Sequence, residues 1–177
     1  LTGGGRIPRP GEVSLSHHGV LFLDEMPEFP KHVLEVLRQP LEDECVTISQ
    51  VNGTVTFPAK FMLISSINPC PCGFFGDETG RCSCSASQIK NYLGKISGPL
   101  MDRIDLQVEV KALKFHDLSD SFKSESSDVI RERVNKARQI QLERYKNQGI
   151  FSNSQLRPKH MNIYCKIGKK ERNILKE

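Results

Sequence analysis

Short apolar runs alternate with polar, turn-forming stretches along the chain, and this pattern predicts its elements. Val20-Leu21-Phe22-Leu23 is apolar at every position, the signature of a strand buried on both faces, within a strand region Gly19 to Glu25. After it, Val33, Leu34, Leu37 and Leu41 recur at helical spacing. Pro30 suits a first helical turn, and Pro40 must break or restart the helix. The stretch CVTISQVNGTVTFP alternates about Asn52-Gly53, a type I′ hairpin signal. That centre predicts the pairs Val51–Thr54, Gln50–Val55, Ser49–Thr56 and Ile48–Phe57. Val46, Ile48, Val55 and Phe57 then share one face, and Thr47, Ser49, Val51, Thr54 and Thr56 the other.

KFMLISSINP predicts a second buried strand, ended by Asn68-Pro69. ASQIKNYLGKI has the pattern of a short helix, and GPLMDRIDLQVEV of a turn followed by a third strand from Asp105 to Val110. Gly3 to Gly11 is Gly/Pro-rich and predicts a loop. Lys111 to Ser127 is polar, as in a linker. Ser127 is placed to cap a helix running to about Asn147, with Ile130, Val134, Ala137 and Gln141 on one stripe. Short helical pieces are expected after Gly149, and no internal repeat occurs. Strands alternating with helices predict an α/β fold, a parallel sheet with a hairpin insert, followed by a helical C-terminal part. The expected division is 1–115 and 116–177.

The 177 residues suit one domain with a small appendage, and 37% apolar content allows a modest core. No run of 18 apolar residues predicts a membrane helix, and the first ten residues lack a signal-peptide core. A cytoplasmic protein is expected, and the absence of a leading Met suggests a fragment or a processed chain. The net charge of +4 admits nucleic acid without requiring it. Six cysteines without an export signal argue against a disulfide framework. Cys45 and Cys165 stand alone and are expected to be ordinary semi-buried thiols.

Cys70, Cys72, Cys82 and Cys84 form a cluster of two matched pairs, able to hold a tetrahedral structural zinc or to remain free thiols in a mobile loop. Cysteines two apart on an extended strand lie ~7 Å apart. Sulfurs sharing one zinc need roughly 4 Å. Pro71 and Ser83 must therefore bend the chain.

Asp24 and Glu25 follow a buried strand, where open parallel sheets bind ligands. Acids there also simply cap a following helix. Strand–Asp–Glu is the Walker B pattern of a P-loop ATPase, in which Asp24 would hold Mg²⁺ and Glu25 would polarise the water attacking ATP. Asn68 could orient the same water, or be only a turn former before Pro69. Arg103 stands before the third strand, where ring ATPases place an arginine finger; a surface ion pair is the plainer alternative.

GGGRIPRPGEVSLSHHGVLFLDEMPEF, INPCPCG and ISGPLMDRIDLQVEV together resemble the bacterial ComM (YifB) family, a magnesium-chelatase-like branch of the AAA+ ATPases. The resemblance runs from Gly3 to about Val110 and more weakly to Glu177. It implies a P-loop NTPase fold, ATP and Mg²⁺ as cofactors, a hexameric ring, and action on DNA in transformation or branch migration. It further implies Asp24 and Glu25 as the Walker B pair, Asn68 as sensor 1, Arg103 as the arginine finger, and the hairpin Val46 to Phe57 as the pre-sensor-1 hairpin. By the same analogy Thr47, Ser49, Asn52, Gly53, Thr54 and Lys60 are candidates for DNA-backbone contact. The basic helix after Ser127 is more simply a solvated face.

No G-x-x-x-x-G-K-[ST] occurs in the chain, and LTGGGRIPRP has no Lys-Ser/Thr. The resemblance places the P-loop and its strand upstream of Leu1, which would leave two exposed edges in the sheet. This chain alone is therefore expected to bind ATP weakly and hydrolyse none. The alternatives are a chelatase motor subunit driving metal insertion into a porphyrin, and a non-catalytic, zinc-stabilised interaction module.

Overall fold

A computed structural model describes residues 1–50, 53–77, 80–110 and 125–176. The chain divides into two compact units, residues 1–112 and 113–177.

In the first unit, β1 (Gly3–Gly4) pairs antiparallel with β2 (Arg9–Pro10), so the glycine-rich start is a minimal ladder and not a plain loop. The ladder needs glycine: Gly3 has φ +97°, and a Cβ there would lie 2.1 Å from the Arg9 carbonyl oxygen. The one-turn helix α1 (Glu12–Leu15) leads into β3 (Val20–Leu23). A short 3₁₀ turn, Met26–Glu28, follows, then α2 (Lys31–Glu35) and α3 (Arg38–Asp43). The helix restarts ahead of Pro40, which sits in the first turn of α3, where its missing N–H had no helical partner to lose.

β4 (Cys45–Gln50) and β5 (Gly53–Pro58) form an antiparallel hairpin with its own ladder. The register differs from the expected one: Ile48 pairs with Val55, Ser49 with Thr54 and Gln50 with Gly53. Gly53 thus pairs within the ladder and is not a turn residue beside Asn52; residues 51–52 lie outside the described residues. A slip of two positions leaves each described side chain on its expected face, so the sorting of faces could not distinguish the two registers. Val46 and Ile48 are buried, while Thr47 and Thr56 meet on the outer face with their hydroxyl oxygens 3.0 Å apart.

β6 (Met62–Ser65) runs parallel to β3, with Val20 opposite Met62 and Leu23 opposite Ser65. Both strands are buried on one face only, contrary to the expectation from their apolar runs. Leu21 and Leu23 are buried, whereas Val20 and Phe22 are 53% and 58% exposed, and Met62 is 61% exposed. The covered face meets Val13, Met26, Leu34, Leu37 and Leu100, all fully buried, and these make the core. The other face has no covering layer among the described residues. α4 (Ala86–Leu93) starts at a Ser85–Gln88 capping box, and α5 (Gly98–Met101) is capped by Ser97.

Asp105–Val110 is not a strand. Its alternation is real, but Leu106, Val108 and Val110 are each more than 80% exposed and pair with no strand among the described residues. A strand needs a partner for its backbone groups as well as a pattern.

The second unit contains α6 (Ser127–Arg144), a 3₁₀ turn (Asn153–Gln155), α7 (Pro158–Tyr164) and α8 (Lys169–Ile174). The cap of α6 is Ser126, one residue before the expected Ser127; its hydroxyl accepts from the Val129 N–H. No residue of α6 is buried, so its apolar stripe is exposed. The unit closes instead around Tyr145, whose hydroxyl donates to Asn153 at 2.8 Å and whose ring meets Tyr164 edge-on at 4.9 Å. Residues 111–124, most of the expected linker, lie outside the described residues. No helix among the described residues is long and apolar enough to cross a membrane.

Candidate functional site

The parallel register carries the chemistry. With Leu23 opposite Ser65, the next residues, Asp24 and Ser66, leave the two carboxyl ends side by side. The Ser66 hydroxyl donates to Asp24 Oδ1 at 2.6 Å and accepts from the Glu25 N–H at 2.8 Å. The Met26 N–H donates to the Ser66 carbonyl at 3.0 Å, completing the join. Asn68 Nδ2 donates to Glu25 Oε1 at 3.0 Å. Asp24, Glu25, Ser66 and Asn68 therefore form one hydrogen-bonded set at the sheet's carboxyl edge. Ser66 was missed by sequence reasoning. Its only signal is its place at the end of an apolar run, and its contact with Asp24 depends on which strand lies alongside.

Glu25 adopts a left-handed backbone, φ 48° and ψ 52°. A non-glycine residue there is strained by about 1–3 kcal/mol, and such strain concentrates at functional sites. The turn directs the Glu25 carboxylate toward Asn68, while Met26 and Pro27 bury behind it. Asp24 keeps an exposed carboxylate with a hydroxyl on one oxygen. That donor set suits a hard divalent cation that retains several waters, such as Mg²⁺.

Arg103 is not brought to the carboxylates. It follows α5, donates to the Pro99 carbonyl at 2.6 Å, and makes an ion pair with Glu42 of α3. Hydrogen bonding and charge from Arg103 hold the Glu42 carboxyl below its ordinary value. The pair borders an open groove lined also by Glu35, Arg38, Gln39 and Asp43.

The four clustered cysteines do converge. Cys70, Cys72, Cys82 and Cys84 present sulfurs all within 4.8 Å of one another. Cys70 and Cys72 are 3.3 Å apart, and Cys82 lies 3.8 and 3.7 Å from them. Four sulfurs on a tetrahedral zinc, at Zn–S of about 2.3 Å, would sit roughly 3.8 Å apart, so the spacing fits. Gly73, Gly76 and Gly80 all have positive φ, which gives the loop its bends. Arg81 pairs with Asp77 and lies over the Phe74 ring at 4.4 Å, closing the loop outside the sulfurs. The Phe74 backbone N–H, then the Cys70 thiol, pull the Cys72 thiol down to about 6. Cys84 accepts a backbone hydrogen bond at Cys72, yet the neighbouring Cys72 sulfur and burial push it up to about 12. Only Cys72 is eased toward the thiolate; crowded sulfurs resist ionising together until a bound cation neutralises them. Cys45 is half-buried as expected, whereas Cys165 is exposed.

Of the residues expected to face DNA, Thr47, Ser49 and Thr54 lie on the exposed outer face of the hairpin; Gly53 is exposed but stands opposite Gln50 on the other face, and Asn52 lies outside the described residues. Lys60 is engaged elsewhere, in an ion pair with Glu44 at 2.8 Å, and its backbone N–H donates to His17 Nδ1.

The chain as a whole has known relatives. The family model for the magnesium chelatase subunit ChlI matches residues 1–118, and that for the ChlI C-terminal region matches residues 124–177. The chain belongs to the magnesium-chelatase family, which is related to the AAA+ ATPases. Within it the chain is similar to the competence protein ComM of Haemophilus influenzae, 44% identical over 97% of this chain and 33% of that protein. It is also similar to the uncharacterized protein YifB of Salmonella typhimurium, 39% identical over 93% of this chain and 32% of that protein. The magnesium-chelatase subunit ChlI of Mesostigma viride is more distant, 25% identical over 67% of this chain and 27% of that protein. The chain thus spans about a third of the length of the ComM and YifB relatives.

Proposed function

We propose that this chain provides the metal- and water-facing half of an ATPase site in a ring motor acting on DNA. The observation that supports it best is the hydrogen-bonded set Asp24–Ser66–Glu25–Asn68 at the carboxyl ends of two parallel strands. Asp24 is the residue to hold Mg²⁺, which when bound would neutralise charge on the phosphates of ATP. Glu25 accepts a proton from the attacking water, and its strained turn keeps the carboxylate at the sheet edge. Asn68 fixes the Glu25 carboxylate and can offer its second amide hydrogen to the same water. Ser66 fastens Asp24 to the Glu25 backbone.

Arg103, bound to Glu42 and away from the carboxylates, is assigned to the site of a neighbouring subunit in a hexameric ring. The outer face of the hairpin, with Thr47, Ser49 and Thr54, is assigned to the DNA backbone, which hydroxyls can bind without reading sequence. The cysteine cluster is assigned a structural zinc. The similarity to a competence protein favours DNA over a porphyrin as the target, because the chelatase subunits are the more distant relatives.

The test is ATP turnover by the full-length protein, with and without branched DNA. The expected result is magnesium-dependent hydrolysis, raised by DNA and abolished by Glu25→Gln. Hydrolysis unaffected by Glu25→Gln would overturn the site, and hydrolysis indifferent to DNA would overturn the partner.

A further inference from the structure

The cysteine cluster is tied to the carboxylate site at both of its ends. On the entering side, Asn68 is two residues from Cys70, with Pro69 between them. Cys70 is fully buried, and Asn68 touches Glu25 at 3.0 Å. On the leaving side, Ser85 follows Cys84 directly and caps α4 through the Ser85–Gln88 box. α4 packs against the 3₁₀ turn Met26–Glu28, which begins immediately after Glu25. Near its end stands Tyr92, only 4% exposed. Its hydroxyl is buried with no hydrogen-bond partner among the described residues. Burial, and then the charges of Glu28, Glu25 and Cys70, push its phenol up.

The segments that hold Asn68 and back the Glu25 turn therefore enter and leave one four-sulfur knot. Thiols alone hold that knot weakly, since S–H is a poor donor. A zinc bound by all four thiolates would close it covalently in effect. We propose that the cysteine cluster, loaded with zinc, is the positioning device that holds Asn68 against Glu25, so that metal loading sets the competence of the carboxylate site. The catalytic consequence rests on the ATPase reading above; the positioning itself does not. The four cysteines are positioning residues, and Glu25 remains the group that meets water.

The experiment compares the full-length protein as purified, stripped of metal by a chelator under reducing conditions, and reloaded with zinc. Metal analysis should give one zinc per chain, lost on stripping and regained on reloading. Amide hydrogen exchange is followed at Glu25 and Met26, whose N–H groups donate to Ser66, with the hairpin amides of residues 47–56 as internal control. Stripping should accelerate exchange at Glu25 and Met26 about tenfold and leave the hairpin unchanged. ATP turnover should fall about tenfold in kcat with KM little changed, and recover with zinc. Asn68→Ala should show the same loss in kcat, with no further loss on stripping. Cys84→Ser, at a half-exposed ligand, repeats the stripped behaviour if removing buried Cys70 unfolds the loop.

Absence of zinc from the purified protein would overturn the proposal. So would zinc loss without a change in exchange at Glu25 and Met26, or an equal loss of kcat on stripping Asn68→Ala. Hydrolysis absent from every sample would overturn the ATPase reading, while the exchange comparison would still decide the positioning.

Discussion

Asn68 donates to the carboxylate of Glu25 at 3.0 Å across a separation of 43 residues. Neither residue announces this contact locally. It exists because β3 and β6 lie parallel and in one register, so that their carboxyl ends emerge together. Glu25 then turns through a left-handed backbone that brings its side chain to Asn68.

Ser66 joins the two carboxylate residues, so its loss should be felt at both. Ser66→Ala removes the donor to Asp24 Oδ1 and the acceptor for the Glu25 N–H. We expect kcat for ATP in the full-length protein to fall by about 10–100-fold, with the fold intact by circular dichroism. Unchanged steady-state kinetics would remove Ser66 from the site.

The ion pair between Arg103 and Glu42 should appear in the pH dependence of stability. Glu42 ordinarily titrates near 4.5 and is held lower in the folded chain, first by the Arg103 hydrogen bond and then by its charge. A depressed carboxyl stabilises the fold above its unfolded value and loses that contribution as pH falls through the folded value. From about pH 5 to about pH 3, the thermal midpoint should therefore fall further in the wild type than in Glu42→Gln. The difference should be small, because Glu42 is largely exposed. Parallel curves would show that the pair does not contribute.

Leu37 is fully buried in the core beneath the sheet. Leu37→Ala should destabilise the first unit by about 2–5 kcal/mol, read from the urea midpoint. Val20→Thr, on the exposed face of β3, should change stability by less than about 1 kcal/mol in this chain. A large effect of Val20→Thr in the full-length protein would reveal a layer covering that face.

Replacing Thr47, Thr54 and Thr56 together by Val keeps β-propensity and removes three exposed hydroxyls from the hairpin. We expect weaker binding of the full-length protein to branched DNA, read by fluorescence anisotropy, with basal ATP turnover preserved. Unchanged DNA affinity would place the contact elsewhere.

Much of the local structure was legible in the sequence. Apolar runs located β3 and β6, and helical spacing located α2, α3 and α4. Alternation sorted the hairpin's faces, because side-chain period in a strand is a local property. The four cysteines and the Asp24-Glu25 pair stood out because their chemistry is carried by residue type and close spacing.

What only the tertiary structure decided depends on partners distant in sequence. Alternation at Leu106, Val108 and Val110 predicted a strand, yet no strand among the described residues pairs with it, and these side chains stay exposed. The hairpin register was two positions from the expected one, because period two leaves both choices with the same faces. Ser66 entered the site only through the parallel pairing of β3 with β6. The sequence by itself thus determined which residues could do chemistry. The strand pairing decided which of them meet, because contact between residues 42 or 43 positions apart is set by a register that no local pattern encodes.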